Sequence, residues 1–334
     1  MKSPKISAIP KIRLGQHGPE VFPMALGCMG MSNMYGPADE RESVATIHAA
    51  LEQGVNLLDT GDFYGTGHNE LLLGRALAGR RQQALLSVKF GALRGPDGSW
   101  GGVDARPVAL KNFLTYSLTR LGTDYVDIYR PARLDPAVPI EETVGAIAEL
   151  VKAGYVRHIG LSEVGPETLR RAHAVHPIAD LQIEYSLLSR GPEAKIFPVL
   201  AELGVSLTAY GVLSRGLLSG SRPRAASDFR AHLPRFSGEA GEHNRKLVAQ
   251  LGELAHARGL TPSQLAIAWV RSRGPSVVPV MGARTQAQLE EALGALTTNL
   301  TTSEVARINE LVASSGVAGE RYQPAQMTHL DSER

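Results

Sequence analysis

The sequence alternates short apolar runs with longer segments of helical periodicity, and this alternation constrains the fold more than any other feature. Eight apolar runs are predicted to be strands, at 22–27, 55–59, 84–90, 124–129, 156–162, 180–186, 205–210 and 276–282. Helical spacing is found at 42–54, 70–79, 107–122, 140–154, 166–175, 192–204, 262–273, 286–296 and near 243–258. Strands that are almost wholly apolar and alternate with helices indicate parallel pairing, with both faces of the sheet buried.

Eight strand–helix units predict one α/β domain over residues 1–334, a (β/α)8 TIM barrel. The alternative is an open, doubly wound sheet, which is expected to carry G-x-G-x-x-G after its first strand. We find no such motif in the sequence. The nearest piece, Gly65-Thr-Gly67, lacks the third glycine and follows the second predicted strand. The pattern therefore favours the barrel.

The first residues and three long connections lie outside the alternation. Residues 1–20 form an N-terminal segment, and 11–20 has the pattern of a hairpin that would cover the floor of the barrel. The connections 91–106 and 211–241 and the C-terminal loop 315–334 are rich in Gly, Pro, Ser and Arg. They are longer than plain connectors require. Because such loops usually form the site of a barrel, we predict that they surround a substrate pocket.

The charge balance argues against nucleic acid and anionic membranes as partners. The chain has 35 Lys and Arg against 33 Asp and Glu, a formal net charge of +2, which leaves no basic footprint. No apolar run approaches the roughly 18 residues of a membrane span. The first twenty residues are polar and lack the apolar middle of a signal peptide. We therefore expect a cytoplasmic protein.

Cysteine and histidine give little indication of a metal. Cys28 is the single cysteine, which excludes an intramolecular disulfide and argues against a zinc site built from cysteines. A lone thiol of this kind is typical of packing rather than catalysis. His173 and His176 lie three residues apart on a predicted helix, but no third ligand accompanies them. We predict no metal site.

Three residues at predicted strand ends are suited to proton transfer. In a barrel, chemistry is found at the carboxyl ends of the strands. Asp59 and Lys89 lie at the ends of the second and third predicted strands, and Tyr64 follows Asp59 by five residues. Each of them alone has a structural explanation as a turn cap or a solvated strand end. Together they predict that Asp59 orients Lys89, whose charge lowers the pKa of Tyr64, so that the phenol gives a proton to a developing alkoxide.

Several segments, in this order and spacing, resemble the aldo-keto reductases over roughly residues 10–310. NLLDTGDFYGTGHNELLLGRAL carries Asp59 and Tyr64, and SVKFG carries Lys89. The other matching segments are VRHIGLSE, LQIEYSLLSR, AYGVLSRGLLSG and VVPVMGARTQAQLEEAL, while ALGCMGMSNMYG resembles a bacterial and plant-type branch. The resemblance implies a (β/α)8 barrel and reversible, metal-free hydride transfer between NADP(H) and an aldehyde or ketone. It also implies catalytic roles for Asp59, Tyr64 and Lys89.

The same resemblance implies a set of cofactor contacts. Ser162 and Gln182 would hold the nicotinamide carboxamide, and Tyr210 would stack on the nicotinamide ring. The contacts implied near the pyrophosphate are Gly211, Leu213, Arg215, Gly216 and Leu218, and those near the adenosine are Gly282, Arg284, Gln288 and Glu291. Arg284 would pair with the 2′-phosphate through its planar fork of donors, which favours NADP over NAD. Where the family usually has Asn, this chain has Glu163, expected to face the carboxamide or an oxidised ring.

One catalytic position departs from the family pattern. The family usually has a His just after the fourth strand, and this chain reads DIYRPARLDP, with Ala132 at that position. Loss of one oxyanion donor costs about 10²–10³ in rate. Three consequences remain open. Arg130, Arg133 or a water supplies the donor; the extra room admits a bulkier substrate; or the protein holds NADP(H) and does little chemistry.

Candidate pocket residues complete the prediction. Met31, Arg130, Ala132 and Trp100 are expected to line the substrate pocket. Loop aromatics that are candidates for its walls are Trp100, Phe229, Phe236 and Tyr322. The predicted function is NADPH-dependent reduction of a small-molecule carbonyl compound. The alternatives are an NADP(H)-binding regulatory or interaction protein with vestigial activity, and an isomerase or lyase on the same scaffold. The oligomeric state is left open.

Overall fold

A closed barrel of eight parallel strands forms the centre of the computed structural model, which describes residues 6–223 and 228–334. The strands in these ranges are β1 (Ile12–Arg13), β2 (Glu20–Val21), β3 (Ala25–Gly27), β4 (Leu57–Gly61), β5 (Leu85–Phe90), β6 (Ala92–Arg94), β7 (Trp100–Val103), β8 (Val126–Pro131), β9 (Val156–Ser162), β10 (Ile178–Glu184), β11 (Ser206–Tyr210) and β12 (Val277–Gly282). The barrel runs β3, β4, β5, β8, β9, β10, β11 and β12, and β12 pairs with β3 to close it. The prediction of a (β/α)8 barrel is confirmed.

Helices surround this barrel. Those in the described ranges are α1 (Glu40–Glu52), α2 (His68–Ala76), α3 (Pro107–Leu121), α4 (Ile140–Lys152), α5 (Pro166–Val175), α6 (Pro192–Leu203), α7 (Gly238–His256), α8 (Pro262–Arg271), α9 (Gln286–Gly294), α10 (Thr302–Ser315) and the short α11 (Pro324–Met327). One helix follows each strand from β8 to β10, and both α7 and α8 lie between β11 and β12. Helix α10, which the sequence analysis did not predict, follows the last strand–helix unit.

Helix α4 illustrates why these segments are helical. Its buried residues include Ile140, Val144 and Ile147, whose spacing of four and three places them on one face of a helix. Glu141 and Glu142 occupy the first turn, where negative charge is favourable. The apolar face packs toward the barrel, and the charged face remains outside.

The floor of the barrel is apolar and is closed by a hairpin. Strands β1 and β2 pair antiparallel, with Ile12 opposite Val21, so the hairpin extends one residue beyond the predicted segment 11–20. The apolar residues that fill the floor are Leu14, Val21, Ala25, Leu57, Ile128, Val278 and Val280. The backbone N–H of Gly15 donates to Ser206 Oγ at 2.6 Å, which ties the hairpin to β11. Apolar side chains therefore fill the lower end of the barrel.

Above the floor the barrel interior is polar. Arg130 and Asp180 form an ion pair with both side chains fully buried, and their Nη1–Oδ2 distance is 2.8 Å. Gly160 makes room for this pair, because a Cβ there would lie 2.7 Å from Asp180 Oδ1 and 3.0 Å from Arg130 Cζ. A second nitrogen of Arg130 donates to Ser87 Oγ at 2.9 Å. We call the carboxyl ends of the eight barrel strands the mouth. The polar layer lies beneath the residues at the mouth and supports them.

Three long connections meet at the mouth. Within 91–106, β6 and β7 form an antiparallel hairpin that the sequence did not predict. The connection after β11 contains short 3-10 turns, and its residues 224–227 lie outside the described ranges. Residues 316–334, which we call the C-terminal segment, pass back across the mouth after α10. The N–H of Ser332 donates to the carbonyl of Glu163 at 3.2 Å, directly beyond the end of β9.

Candidate active site

An ion pair on two neighbouring strands forms the centre of the site. Asp59 lies in β4, and Lys89 lies in β5 in register with Gly61. The ammonium of Lys89 donates to Asp59 Oδ1 and, at 3.3 Å, to the carbonyl oxygen of Thr60. Both side chains are buried. The burial lowers the pKa of Lys89, the charge of Asp59 opposes this effect, and the nearby Arg130 adds to the lowering.

Polar neighbours fix the other oxygen of Asp59. Ser87 Oγ donates to Asp59 Oδ2 at 3.1 Å, and the side-chain amide of Gln182 donates to the same oxygen at 2.8 Å. The sequence analysis assigned Gln182 to the nicotinamide carboxamide, and the structure places its amide nitrogen on Asp59. Asp59 therefore has a fixed orientation toward Lys89.

Tyr64 lies beside this ion pair. Lys89 Nζ is 5.3 Å from the centroid of the Tyr64 ring, and Tyr64 itself is only 6% exposed. Burial raises the pKa of Tyr64 well above its ordinary value, the negative charge of Asp59 adds to the rise, and Arg133 opposes it. The expectation that the couple lowers the pKa of Tyr64 is therefore wrong, because burial and the negative charge of Asp59 both raise it. The hydroxyl remains protonated at neutral pH, which is the state that a proton donor requires.

The two arginines near Ala132 point in different directions. Ala132 follows β8 and is buried, and its N–H donates to the carbonyl of Phe90 at 2.8 Å. Arg130 points into the barrel toward Asp180, so it does not line a substrate pocket at the mouth. Arg133 lies at the mouth, where Nη1 donates to the carbonyl of Ala132 at 2.7 Å and Nη2 donates to the Tyr322 hydroxyl at 3.3 Å. Of these two arginines, only Arg133 is placed near the vacated position.

Two residues assigned to the nicotinamide end of a cofactor lie at the ends of the two strands that flank β10. Ser162 ends β9, and its hydroxyl oxygen is buried without a hydrogen-bond partner in the described structure. Tyr210 ends β11, is half-buried, and its hydroxyl donates to Glu163 Oε1 at 2.7 Å. An unpartnered buried hydroxyl is unusual in a folded protein and marks a place where a ligand is expected to bond.

The loop after β11 contains residues with left-handed backbone conformations. Gly211, Arg215 and Gly216 all have positive φ angles, of 66°, 56° and 93°. The Arg215 guanidinium is used within the protein, donating to Glu184 Oε2 at 2.7 Å and to the carbonyl of Arg321 at 2.9 Å. Leu218 is buried in the apolar core, and Leu213 packs against it. Any contact of this loop with a pyrophosphate would therefore come largely from its backbone.

The residues assigned to the adenosine end surround the start of α9. Gly282 ends β12 and is exposed, and Gln288 Oε1 accepts from the backbone N–H of Arg284 at 2.9 Å. Arg284 Nη1 donates to the carbonyls of Tyr35 at 3.1 Å and Pro37 at 3.2 Å. The carbonyl of Glu291 accepts from the Gln264 side chain at 3.2 Å, and its own side chain forms no ion pair within the described structure. These residues form one cluster above β12.

Sequence reasoning missed the partner of Glu163. Both oxygens of this fully buried carboxylate accept from Arg321, at 2.8 and 2.6 Å, and Ser332 Oγ donates to Oε2 at 2.6 Å. Burial alone would raise the pKa of Glu163, but Arg321 and the hydrogen bonds hold it well below its usual range. The carboxylate is thus occupied by the C-terminal segment. A buried charge requires a partner, but the sequence shows neither the burial of Glu163 nor which cation pairs with it.

The predicted wall residues differ in their burial and in their place around the mouth. Tyr322 is half-buried at the mouth, with its hydroxyl 3.2 Å from that of Tyr210 and the Arg215 guanidinium 4.3 Å from its ring centroid. Trp100 lies in β7, is 43% exposed, and has the Arg94 guanidinium 5.6 Å from its ring. The remaining members belong to turns near the mouth: Met31, which is buried, and Phe229 and Phe236, which are half-buried. Of these residues, Tyr322 is the one whose hydroxyl accepts from Arg133, next to Ala132.

Other kinds of site have little support in the described residues. Across 6–223 and 228–334, no group of three or more His, Cys, Asp or Glu is arranged to hold a metal ion. Within the same ranges, no helix has both the length and the apolar character needed to cross a bilayer. Cys28 is fully buried, and burial is the main cause that raises its pKa.

The residues present fit a nicotinamide dinucleotide. The unpartnered hydroxyl of Ser162 offers a bond to an amide group, and Gly211 and Gly216 carry no side chain in the loop that would follow a pyrophosphate. Arg284 supplies a cation at the far end of this series. These features lie at the carboxyl ends of β9, β11 and β12 and in the loops that follow them.

Comparison with known proteins places the chain in a family. The Aldo/keto reductase family matches residues 23–313. A Glycine max protein named "Probable aldo-keto reductase 1" is 39% identical over 322 residues, which cover 94% of this chain and 92% of that protein. The chain therefore belongs to the aldo/keto reductase family.

Solved structures agree with this assignment. A glycerol dehydrogenase from Gluconobacter oxydans superposes with a TM-score of 0.84 at 29% identity, covering 95% of this chain and 98% of that one. An aldo-keto reductase from Bacillus halodurans, solved in its holo form, superposes with a TM-score of 0.73 at 30% identity, covering 91% and 96%. The family supports carbonyl oxidoreductase activity in general terms, with nicotinamide cofactors.

Proposed function

We propose that this protein reduces an aldehyde or ketone to an alcohol with NADPH, and that Tyr64 is the proton donor. The observation that carries the proposal is the contact of three groups at the mouth of the barrel. The Asp59–Lys89 ion pair lies directly beside the protonated, buried phenol of Tyr64. Membership of the aldo/keto reductase family makes carbonyl chemistry the natural use of this group.

The chain's own residues handle the proton. Tyr64 donates its hydroxyl proton to the substrate oxygen as negative charge develops there, which leaves a phenolate. Lys89 and Arg133 both place positive charge near the site of that phenolate, and each favours its formation. Asp59 holds Lys89 in place, and Ser87 and Gln182 hold Asp59. NADPH, when bound, supplies the hydride that the carbonyl carbon receives.

Other residues are proposed to bind the cofactor. Ser162 holds the carboxamide, Tyr210 lies against the nicotinamide, and the backbone around Gly211 and Gly216 follows the pyrophosphate. Arg284 pairs with the 2′-phosphate and gives a preference for NADPH over NADH. We further propose a single barrel domain that acts in the cytoplasm on a small molecule; its oligomeric state is open.

The proposal is tested by the loss of NADPH absorbance with a panel of aldehydes and ketones. Tyr64→Phe removes only the hydroxyl, and we expect turnover to fall by about 10²–10⁴ while NADPH still quenches or shifts the protein fluorescence with the same Kd. Tyr116→Phe is the matched control, since Tyr116 is 56% exposed on α3. Equal turnover by the Tyr64→Phe variant and the wild type would refute the assignment of Tyr64.

Two observations favour a second candidate, an NADP(H)-binding regulatory protein with weak activity. Ala132 offers no side-chain donor, and the C-terminal segment crosses the mouth beside Tyr64. Tight NADPH binding without turnover across a broad panel would support this candidate. Absence of NADPH binding, with Arg284→Ala having no effect, would contradict both and favour an isomerase or lyase.

A further inference from the structure

A chain of hydrogen bonds links Arg133 to Glu163 through two tyrosines. Arg133 Nη2 donates to the Tyr322 hydroxyl at 3.3 Å, the Tyr322 and Tyr210 hydroxyls are 3.2 Å apart, and Tyr210 donates to Glu163 Oε1 at 2.7 Å. Arg133 immediately follows Ala132 in the sequence. This chain of hydrogen bonds therefore crosses the mouth beside Ala132, which has no side-chain donor.

The available protons fix the direction of this chain. A guanidinium only donates, and an ionised carboxylate only accepts. Glu163 is ionised, since Arg321 holds its pKa low despite burial. Tyr210 therefore gives its one proton to Glu163, and Tyr322 is left to donate its own proton to the Tyr210 oxygen. Tyr322 donates only to the neutral oxygen of Tyr210, 3.2 Å away, so its proton can be redirected to a substrate oxygen with the loss of that one bond.

The C-terminal segment is built to hold Tyr322 at this place. The neighbouring residue, Arg321, pairs with Glu163 through two nitrogens, and both side chains are buried. Arg321 also donates to Glu333 Oε1 at 2.7 Å, and its carbonyl accepts from Arg215 at 2.9 Å. The guanidinium of Arg215 lies 4.3 Å from the Tyr322 ring centroid. Such a set of buried ionic contacts on both sides of one residue leaves its side chain few other orientations.

We infer that Tyr322, positioned by the Arg321–Glu163 ion pair, is the second hydrogen-bond donor to the substrate carbonyl oxygen, in the role for which Ala132 has no group. The inference rests on the proposed carbonyl reductase function. Arg133 donates to the Tyr322 oxygen and so makes its proton a better donor. Arg321 and Glu163 are positioning residues, because they act on the reaction only through Tyr322.

The decisive variant is Tyr322→Phe, which keeps the aromatic wall and removes only the hydroxyl. We expect kcat/KM for carbonyl reduction to fall by about 100-fold, as for loss of one oxyanion donor, with the NADPH Kd and the melting temperature unchanged. Tyr116→Phe, the same change at an exposed site, is expected to leave kcat/KM unchanged. If Tyr322→Phe retains wild-type kcat/KM, the inference is wrong.

Arg321→Met tests the positioning step separately. Without the ion pair, the C-terminal segment is expected to become more susceptible to limited proteolysis in the absence of any ligand, and kcat/KM is expected to fall as far as in Tyr322→Phe. The double variant should be no slower than either single one, because both changes remove the same donor. A rise in activity in Arg321→Met would overturn the inference, since it would show that the segment blocks the site.

A rescue experiment distinguishes a role of Tyr322 as a hydrogen-bond donor from a role as a wall of the pocket. In the Tyr322→Phe background, Ala132→His returns a hydrogen-bond donor from the strand end, and most of the lost kcat/KM should return. If Ala132→His alone is active but the double variant stays as slow as Tyr322→Phe, the two positions do not share a role and the inference fails. Tyr64→Phe distinguishes the two proposals: full activity there refutes the proposed function, whereas an inactive Tyr64→Phe beside a fully active Tyr322→Phe refutes only this inference.

Discussion

The burial of Tyr64 determines what it can do in the reaction. A phenol that is 6% exposed and next to a carboxylate is held in its neutral form, so it is a donor rather than a base before the substrate binds. Lys89 lies beside its ring, so positive charge is already in place when the proton leaves. Asp59, held by Ser87 and Gln182, keeps the Lys89 ammonium in this place.

Asp62 predicts a pH dependence of stability. Burial raises its pKa to about 7, the charge of Glu70 adds to the rise, and Arg120 opposes it. In the unfolded chain Asp62 loses its proton near about pH 4, so between that pH and about 7 the folded state holds the extra proton and stability falls as pH rises. Asp62→Asn removes this cost. The difference in unfolding free energy between Asp62→Asn and the wild type should therefore grow in favour of the variant as pH rises. We expect it to be about 1–3 kcal/mol larger at about pH 8 than at about pH 4.

Chemical denaturation at the two pH values measures this difference. Asp124→Asn, a change of an exposed carboxylate near β8, is the control and should show no such growth with pH. An Asp62→Asn variant whose advantage is the same at both pH values would show that Asp62 is already ionised at the lower pH.

Cys28 should be unreactive in the folded protein. Its side chain is fully buried, and burial raises its pKa so that no thiolate is available at neutral pH. A disulfide reagent is expected to label no thiol in the native protein and one per chain in guanidinium chloride. Rapid labelling of the native protein would contradict the packing role.

The residues of the central site were predictable, whereas their outer partners were not. Asp59, Lys89 and Tyr64 belong to strand ends that are close in sequence, so the barrel pattern alone brings them together. Arg321 is separated from Glu163 by 158 residues and reaches it through a loop without periodicity. The orientation of the Arg130 side chain could not be predicted from the sequence either, because strand alternation does not reveal that Asp180 lies inside the barrel.

At the scale of elements, the signals that start helices are written in the sequence. Thr261 begins α8 with a capping box, in which its side chain accepts from the N–H of Gln264 and the Gln264 side chain accepts from the N–H of Thr261. Thr301 and Glu304 do the same for α10. The latter motif was present in the sequence, so α10 was predictable from its cap although it lies beyond the eight repeated units.

The cap of α8 gives a prediction for stability. Thr261→Ala removes the acceptor for one N–H of the first turn and should lower the free energy of unfolding by about 1 kcal/mol. Thr261→Ser retains the acceptor and should lower it much less. Denaturant unfolding of the two variants measures the difference, and equal losses would mean that the methyl group of Thr261, rather than its hydroxyl, is what stabilises the helix.

The β6–β7 hairpin is an element that could not be predicted from the sequence. Its second strand, Trp100–Val103, contains two glycines and is largely exposed, so it lacks the apolar alternation that marks a strand. Its pairing depends on the turn between Arg94 and Trp100 rather than on burial. Exposed pairs of this kind carry little hydrophobic signal, which explains why the connection was expected to be an irregular loop.

At the scale of the whole molecule, the polar layer inside the barrel connects β8 to β5, β9, β10 and β11. Arg130 alone contacts Asp180, Ser87, Thr208 and the carbonyl of Leu161. Because the Arg130–Asp180 pair is fully buried, removal of one partner leaves an uncompensated charge. Arg130→Met should therefore cost about 3–5 kcal/mol of unfolding free energy, while Arg130→Met with Asp180→Leu should cost much less.

A double-mutant cycle measured by denaturant unfolding tests this prediction. Arg171→Met with Glu141→Leu is a comparison pair on the outside of the barrel, where both side chains are over 40% exposed and each change should matter little. Additive losses at Arg130 and Asp180 would contradict the account, because they would show that the two charges do not depend on each other inside the barrel.

Transfer of labelled hydrogen tests the central claim most directly. The protein is incubated with a carbonyl substrate from the panel and with NADPH that carries deuterium at C4, in separate samples for the two faces of the ring. The account predicts that the alcohol formed with one of the two samples carries deuterium on the former carbonyl carbon, and that Tyr64→Phe forms it far more slowly. An alcohol without deuterium from either sample, or no alcohol from any substrate despite bound NADPH, would contradict it.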